Sequence, residues 1–357
     1  RVQAGKIVRT VNLAVSNGAP FVLVIDSSGM RLAEGAAALS GYGEIVSALS
    51  KASGVIPLIA VISGECSGMM AVIAGMCDFT VMNRKTGHMY LNSELVIKGR
   101  TGVSAAAEGF ASGGFNAASG GASVIADSEE DMYVNVRTLL QLLPDNNSSG
   151  APEFECTDIN DRYCGELDRI SPGKSGVDAA KLISSITDSD APKLELYAEY
   201  AKDISCFLAV IGGITSGVIV TGSDGEFLTA AACDKAAAFT EFCNAFNIPL
   251  VTLVHSAGFA ADIEEEKKFV AGHAAALAAA YAGADIPKIS IVIGKAYGGA
   301  YVTLCSKSIG ADYSAAWENA EIAPLSPEAS AEIIYRDDII ASTDIKQCRD
   351  AKIKEYR

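Results

Sequence analysis

The chain carries one device twice. An apolar, β-branched run from Ile286 leads through Gly294-Lys-Ala-Tyr-Gly298 and Gly299 into a second apolar segment at Ala300-Tyr301. The run from Val55 leads in the same way through Gly64-Glu-Cys-Ser-Gly68 into Met69-Met70. Each copy reads as a strand, a turn and a helix start. The upstream flanks match too: Ala19-Pro-Phe-Val-Leu-Val-Ile-Asp-Ser-Ser-Gly29 parallels Ile248-Pro-Leu-Val-Thr-Leu-Val-His-Ser-Ala-Gly258. The interval from Pro20 to Pro57 equals that from Pro249 to Pro287 to within one residue. Agreement in both flanks and spacing points to a duplicated α/β unit.

The turns themselves suggest chemistry. Glycine lets the backbone approach a ligand closely, and the first amides of the following helix have no partner inside it, so they can face negative charge. A carbonyl oxygen developing anionic character would be held there. Two such turns would polarise two carbonyl groups, one in each half, and let the reactants exchange a proton between themselves. Close packing of helix on strand would explain a single turn equally well, but the matched pair favours function.

With 357 residues, the chain is long enough for two domains or one large one. Strands that lack polar alternation, alternating with helical segments, predict a parallel sheet covered on both faces. The expected strands lie around Phe21–Asp26, Val55–Ile62, Phe207–Val210, Val218–Val220, Leu250 and Trp317–Ile322. The expected helices span 4–15, a segment through Tyr42 and Val46, 128–143, 229–246, 263–281 and 327–334. Residues 102–121 read either as a loop or as a tightly packed helix pair. Turn formers at Pro144–Pro152 mark the best boundary, dividing the chain into 1–150 and 151–357. The chain opens inside an apparent helix, so the natural protein is expected to begin earlier.

A net charge of −15 argues against binding nucleic acid through its backbone and suits a cytoplasmic enzyme. The nine cysteines are scattered, several within apolar runs, as expected of buried thiols in a reducing compartment. His88, His255 and His273 are too widely spaced for a local metal motif, and no apolar run is long enough for a membrane span. Pro172-Gly-Lys-Ser175 imitates the end of a phosphate-binding loop, but Asp168 stands where its first glycine belongs. Gly64-Glu-Cys-Ser-Gly68 fits a nucleophile elbow with Cys66 at its centre. No histidine or acid can be assigned to that thiol, and the second copy has no cysteine, so the backbone matters more. His255, at a strand end, reads as structural rather than as an acid-base group.

Seven segments together resemble a known family: Asp26 to Gly35, Gly41 to Ile45, Gly64 to Phe79, Asp234 to Phe239, Phe246 to Val254, Lys295 to Tyr301 and Ala320 to Ala323. They are similar to the carboxyltransferase subunits of biotin-dependent acyl-CoA carboxylases and to methylmalonyl-CoA and glutaconyl-CoA decarboxylase α subunits. The resemblance runs over nearly the whole chain, and without the family's opening portion. It implies two tandem crotonase-like halves, with the acyl-CoA thioester bound by the first and biotin, carried on a lysine of a carrier protein, by the second. By position, Gly68 and Met69 would face the thioester carbonyl, and Gly299 and Ala300 the biotin ureido oxygen. Gly29, Met30, Gly258, Phe259, Gly298 and Val302 would line the substrates. The implied reaction moves a carboxyl group between carboxybiotin and a short-chain acyl-CoA, of propionyl-CoA/methylmalonyl-CoA type, through an enolate. Implied partners are a biotin carboxyl carrier protein, a biotin carboxylase or the subunits of a sodium-pumping decarboxylase, and further copies of the chain in a dimer or hexamer. Membrane association would come only through such partners.

Three departures stand out. Relatives usually show Gly-Gly for Gly68-Met69, Asp-Val-Pro-Gly-Phe for His255-Ser-Ala-Gly-Phe259, and, in propionyl-type members, Asp for Val302. The alternatives are a non-catalytic assembly subunit and a crotonase-type hydratase or isomerase. Such hydratases commonly carry a Glu just after the turn, where this chain has Met70-Ala-Val-Ile73; Glu94 reads as a surface or helix-start residue.

Overall fold

A computed structural model of the chain describes residues 1–156, 158, 162–165, 167 and 176–356. The phosphate-loop imitation at Pro172–Ser175 and its Asp168 lie outside the described residues. Strands β1 (Phe21–Ser27), β2 (Leu58–Ser67), β3 (Phe79–Asn83), β4 (His88–Tyr90) and β5 (Val124–Ala126) form one sheet, ordered β1-β2-β3-β5 with β4 beside β2. All of its pairings are parallel. Leu58–Ile62 are buried without alternation, as a parallel strand covered on both faces requires. A second sheet contains β6 (Lys193–Leu196), β7 (Ile204–Ile211), β8 (Ile214–Thr221), β10 (Leu250–Ser256), β12 (Lys288–Tyr297), β13 (Tyr313–Ala316) and β14 (Glu321–Ala323). Its order is β13-β12-β10-β8-β7-β6, with β14 beside β12. The small strands β9 (Phe227–Leu228) and β11 (Gly258–Phe259) pair with each other.

The duplication extends to the register. Phe21–Ile25 pair in step with Leu58–Ile62, then the register slips so that Ser27 meets Cys66. Leu250–Val254 pair in step with Lys288–Val292, then slip so that Ser256 meets Ala296. The same bulge thus sits at the same point of both crossings. Beyond it, β4 pairs with Glu65–Ser67 as β14 pairs with Lys295–Tyr297. Asp78 and Asp312 repeat another detail, each accepting the amide that opens the neighbouring strand, Leu58 at 2.7 Å and Lys288 at 2.8 Å.

Four expectations need correcting. The strand read as Val55–Ile62 runs from Leu58 to Ser67, because β4 supplies a second partner beyond the bulge. The second sheet is not wholly parallel: β6, β7 and β8 are antiparallel, joined in part by a hairpin at Gly212-Gly213. Both glycines have positive φ, as tight hairpin turns demand, and the Asp188 carboxylate takes both amides. The single helix expected over 263–281 is two, Ile263–Lys267 and Val270–Gly283, broken where Phe269 adopts φ 59°. The strand expected at Trp317–Ile322 is a turn at 317–320 between β13 and β14. Residues 102–121, left open above, contain the helix Gly113–Ser119, whose Asn116 amide group bonds the carbonyls of Met89, Ala111 and Ser112.

One apolar core runs between the two sheets, joining Ile59, Phe79, Val81 and Leu139 to Cys206, Leu208, Phe239 and Phe246. The Phe79 and Phe242 rings meet edge to face at 4.6 Å. At its rim Arg84 bridges Asp127 at 2.8 Å and Glu199. The helices Val2–Asn17 and Ala36–Ala52 pack with the first sheet in a separate cluster. Among the described residues no helix is long and apolar enough to cross a membrane.

Candidate active site

Each bulged crossing delivers its strand to a glycine at positive φ, Gly68 at 61° and Gly298 at 60°. L residues rarely adopt this conformation, which turns the chain directly into a short helix, Met69–Gly75 in one half and Gly298–Thr303 in the other. Met69 and Gly299 therefore stand at equivalent places, in first turns whose amides have no helical acceptor.

Not every amide singled out from the sequence is open. The Gly68 N–H donates to the Tyr90 carbonyl at 3.0 Å, because β4 continues alongside the turn. This corrects the expectation that Gly68 and Met69 act as a donor pair. In the second half Ala300 is wholly buried whereas Gly299 is exposed, so the amide within reach belongs to Gly299. The Gly29 amide is taken by Ser27 Oγ at 3.3 Å and the Gly258 amide by Ser256 Oγ at 3.2 Å, another repeated detail.

The structure brings only some of the sequence-derived residues of each half together: Gly68 and Met69 do not line the cavity formed by Gly29 and Met30. In the first, Gly29 packs so closely on Ser67 that a Cβ would lie 3.1 Å from its Oγ. Gly29 and Met30, with Tyr42 and Met70, line a cavity of about 840 Å³ beside β1. In the second, the Phe259 ring lies 3.4 Å from where a Gly299 Cβ would be, and Gly298 packs on the Pro324 carbonyl. Val302 is 45% exposed on the following helical turn. None of Gly258, Phe259, Gly298, Gly299 and Val302 lines the cavity of the first half.

The side chains near the turns offer little acid-base chemistry. Burial, reinforced by Glu65, pushes the Cys66 thiol up to about 12, so it is protonated at neutral pH and is no nucleophile. Tyr90 donates to Glu65 Oε2 at 2.9 Å, and burial followed by that carboxylate raises its phenol. Tyr297 donates to the Glu321 carboxylate. Glu94 is exposed at the start of the helix Glu94–Thr101 and accepts the Ala107 amide, in keeping with its helix-start reading. No acid lies in the first turn after Gly68. His255 is buried and its Nδ1 accepts the Lys295 amide at 3.1 Å, while in the first half Asp26 Oδ1 accepts the Glu65 amide at 3.1 Å. Both residues brace the bulge. Sequence reading noticed the aligned Asp26 and His255 but missed Glu226, which reaches the second crossing from outside the repeat.

The carboxyl transferase domain matches residues 1–357, and this chain belongs to that family. It is 36% identical over 362 residues to the methylmalonyl-CoA decarboxylase subunit alpha of Propionigenium modestum, covering 99% of this chain and 69% of that one. It is 34% identical over 361 residues to the propionyl-CoA carboxylase carboxyltransferase subunit of Haloferax mediterranei, covering 100% and 70%. Among solved structures, the transcarboxylase 12S hexamer with methylmalonyl-coenzyme A and methylmalonic acid bound superimposes with a TM-score of 0.93 at 36% identity, covering 99% of this chain and 69% of that one. The crotonase-like fold expected from the resemblance is the fold found, and the chain is of the enzyme class that transfers carboxyl groups.

Proposed function

We propose that the chain moves a carboxyl group between biotin on a carrier protein and a short-chain acyl-CoA of the propionyl-CoA/methylmalonyl-CoA type. The observation that carries this reading is the repeated bulged crossing that ends in a positive-φ glycine and the first turn of a helix, where Met69 stands in one half and Gly299 in the other. We assign residues 1–150 to the acyl-CoA side and 151–357 to the biotin side. Gly29, Met30 and Met69 would hold the thioester, and Gly258, Phe259, Gly298, Gly299 and Val302 the biotin.

When the acyl α-carbon loses its proton, negative charge gathers on the thioester oxygen. The Met69 amide aimed at that oxygen stabilises the enolate more than the ground state, which is what lowers the barrier. Gly68, whose amide is engaged by Tyr90, supplies the turn rather than a hydrogen bond. On the other side, an exposed glycine amide beside the Phe259 ring fits a flat bicyclic ring bearing a carbonyl oxygen. Biotin, when bound there, supplies the nitrogen that carries the carboxyl group and exchanges the proton. The Gly299 amide would orient its ring, and Phe259 would shield one face from water.

The lack of an acid after the first turn argues against a hydratase. An assembly subunit is the second reading, because Met69 stands where relatives usually show Gly, and Val302 where propionyl-type relatives carry Asp. Carboxyl exchange between free biotin and an acyl-CoA separates the two: biotin-dependent turnover is expected, and acyl-CoA binding without turnover would support assembly alone. Carboxylase and decarboxylase relatives are similarly close, so direction is to be read from the partner that co-purifies, a biotin carboxylase or membrane decarboxylase subunits. We further infer a homo-oligomer, a dimer or a hexamer; a monomer by light scattering would contradict it.

A further inference from the structure

The two halves brace their bulges with groups of different charge. In the first, a carboxylate does so: Asp26 Oδ1 accepts the Glu65 amide. In the second, the brace is an imidazole. Because His255 Nδ1 accepts the Lys295 amide, the neutral ring carries its proton on Nε2, which faces Glu226 Oε1 at 3.8 Å. Glu226 binds Lys295 Nζ at 2.7 Å, and its backbone carbonyl accepts the Ala257 amide at 2.7 Å, directly ahead of Gly258 and Phe259. The ring is held tightly. A Cβ on Gly222 would lie 2.6 Å from His255 Cδ2, and Thr221 Oγ1 accepts the His255 amide at 2.8 Å.

We propose that Glu226, Lys295 and His255 form a positioning clamp that sets the Gly299 amide against Phe259, with Glu226 supplying the negative charge that faces the imidazole. The clamp fixes both structures that would contact biotin: the strand leading into Gly298 and the loop carrying Phe259. The neutral brace follows from Glu226. An aspartate at 255 would place a second carboxylate beside the first, at the cost that close like charges carry in a buried site. The proposal rests on the reading that the Gly299 amide polarises a carbonyl.

The test measures carboxyl exchange between biotin and an acyl-CoA, together with amide hydrogen exchange over residues 294–303. E226Q is expected to lower kcat about tenfold while the KM for acyl-CoA stays within about twofold, since only one half is disturbed. H255N keeps an acceptor for the Lys295 amide and should remain within about threefold of the parent. H255D should lose about tenfold, and E226Q/H255D, which moves the single charge from one residue to the other, should recover most of that loss. A purely structural role would not yield recovery in the double variant. E226Q indistinguishable from the parent, or a double variant no better than H255D, would overturn the clamp. If H255D does not fold, E226Q and H255N decide. If the parent shows no carboxyl exchange, the functional reading fails, and the clamp stands or falls by hydrogen exchange alone: quickening at 294–303 in E226Q but not H255N supports it, and unchanged exchange refutes it.

Discussion

The two halves share a crossing and differ in what flanks it. The φ angles of Gly68 and Gly298 agree to one degree, the bulges fall at equivalent residues, and paired serines take the Gly29 and Gly258 amides. Yet β10 is an interior strand, covered by β8, while among the described residues β1 has a neighbour only in β2. Val24 on β1 is accordingly 51% exposed, and the cavity of about 840 Å³ opens along that edge, where the second half places the β7–β8 hairpin. The lesson is that duplication preserved the backbone geometry of the turn, which we propose polarises a carbonyl in each half, while the strands that flank it diverged.

The largest effect should come from the seam between the halves. Phe79 is 2% exposed in the shared core and meets Phe242 from the helix Ala230–Ala245 of the second half, so F79A is expected to cost about 3–5 kcal/mol. The chain's single tryptophan, Trp317, lies in the second half and reports on it. Its fluorescence should fall in one transition coincident with far-ultraviolet circular dichroism, shifted by a mutation made in the first half. A Trp317 transition unmoved by F79A would mean that the halves unfold separately and that the common core contributes little.

Next come the two amides. Proline is tolerated in the first turn of a helix but has no N–H. M69P and G299P therefore delete equivalent donors with little change of backbone. Each should lower kcat by roughly 10²–10³, about 2.7–4 kcal/mol, as loss of a single oxyanion donor does elsewhere. Equal losses would show that both turns hold a reacting oxygen. Loss in G299P alone would reduce the first turn to a packing device and break the comparison at its centre.

How much of this was legible in the sequence follows from what is local. Paired apolar runs, their prolines and the following glycines announced the duplicated strands and turns, because a β-branched run next to Gly acts within a few residues. What decides whether the Gly68 amide is open is Tyr90, in a three-residue strand without a pattern of its own. The extension of β2 past Gly64 has the same cause. The break at Phe269 carries no Gly or Pro signal, since a phenylalanine there holds φ 59° with its ring packed on Gly272. The Gly212-Gly213 turn is legible in the sequence, although its flanking apolar runs read as parallel strands, whereas they pair antiparallel. Glu226 could not be found by matching the halves, since its contact belongs to one of them only.

A third comparison concerns the acid that opens each neighbouring strand. Asp78 and Asp312 accept equivalent amides, and burial, offset in part by the Leu58 N–H, raises Asp78 from 3.8 to about 6. The folded chain thus takes up this proton more readily than the unfolded one. The stabilisation it brings is complete below about pH 3.8 and lost as pH rises through about 6. D78N keeps an acceptor for Leu58 without the buried charge. It should stabilise the protein by about 2 kcal/mol at pH 8, with the gain shrinking toward zero near pH 4. Thermal midpoints measured at both values would check this, and a gain that is the same at both would show that charge is not the cause.

The smallest expected effect is the most pointed. Cys66 and Ala296 occupy the same place in the two crossings, each opposite the serine that follows the bulge. C66A therefore converts one copy toward the other at that position. With its thiol held near 12, Cys66 cannot supply a thiolate at neutral pH, so C66A should keep kcat within about threefold and lose only the packing of one buried sulfur. Iodoacetamide should likewise leave turnover intact at pH 8. A hundredfold loss in C66A with an unchanged melting temperature would restore the nucleophile elbow as the working part of the first half. The likeness of the two turns would then be a likeness of backbone alone.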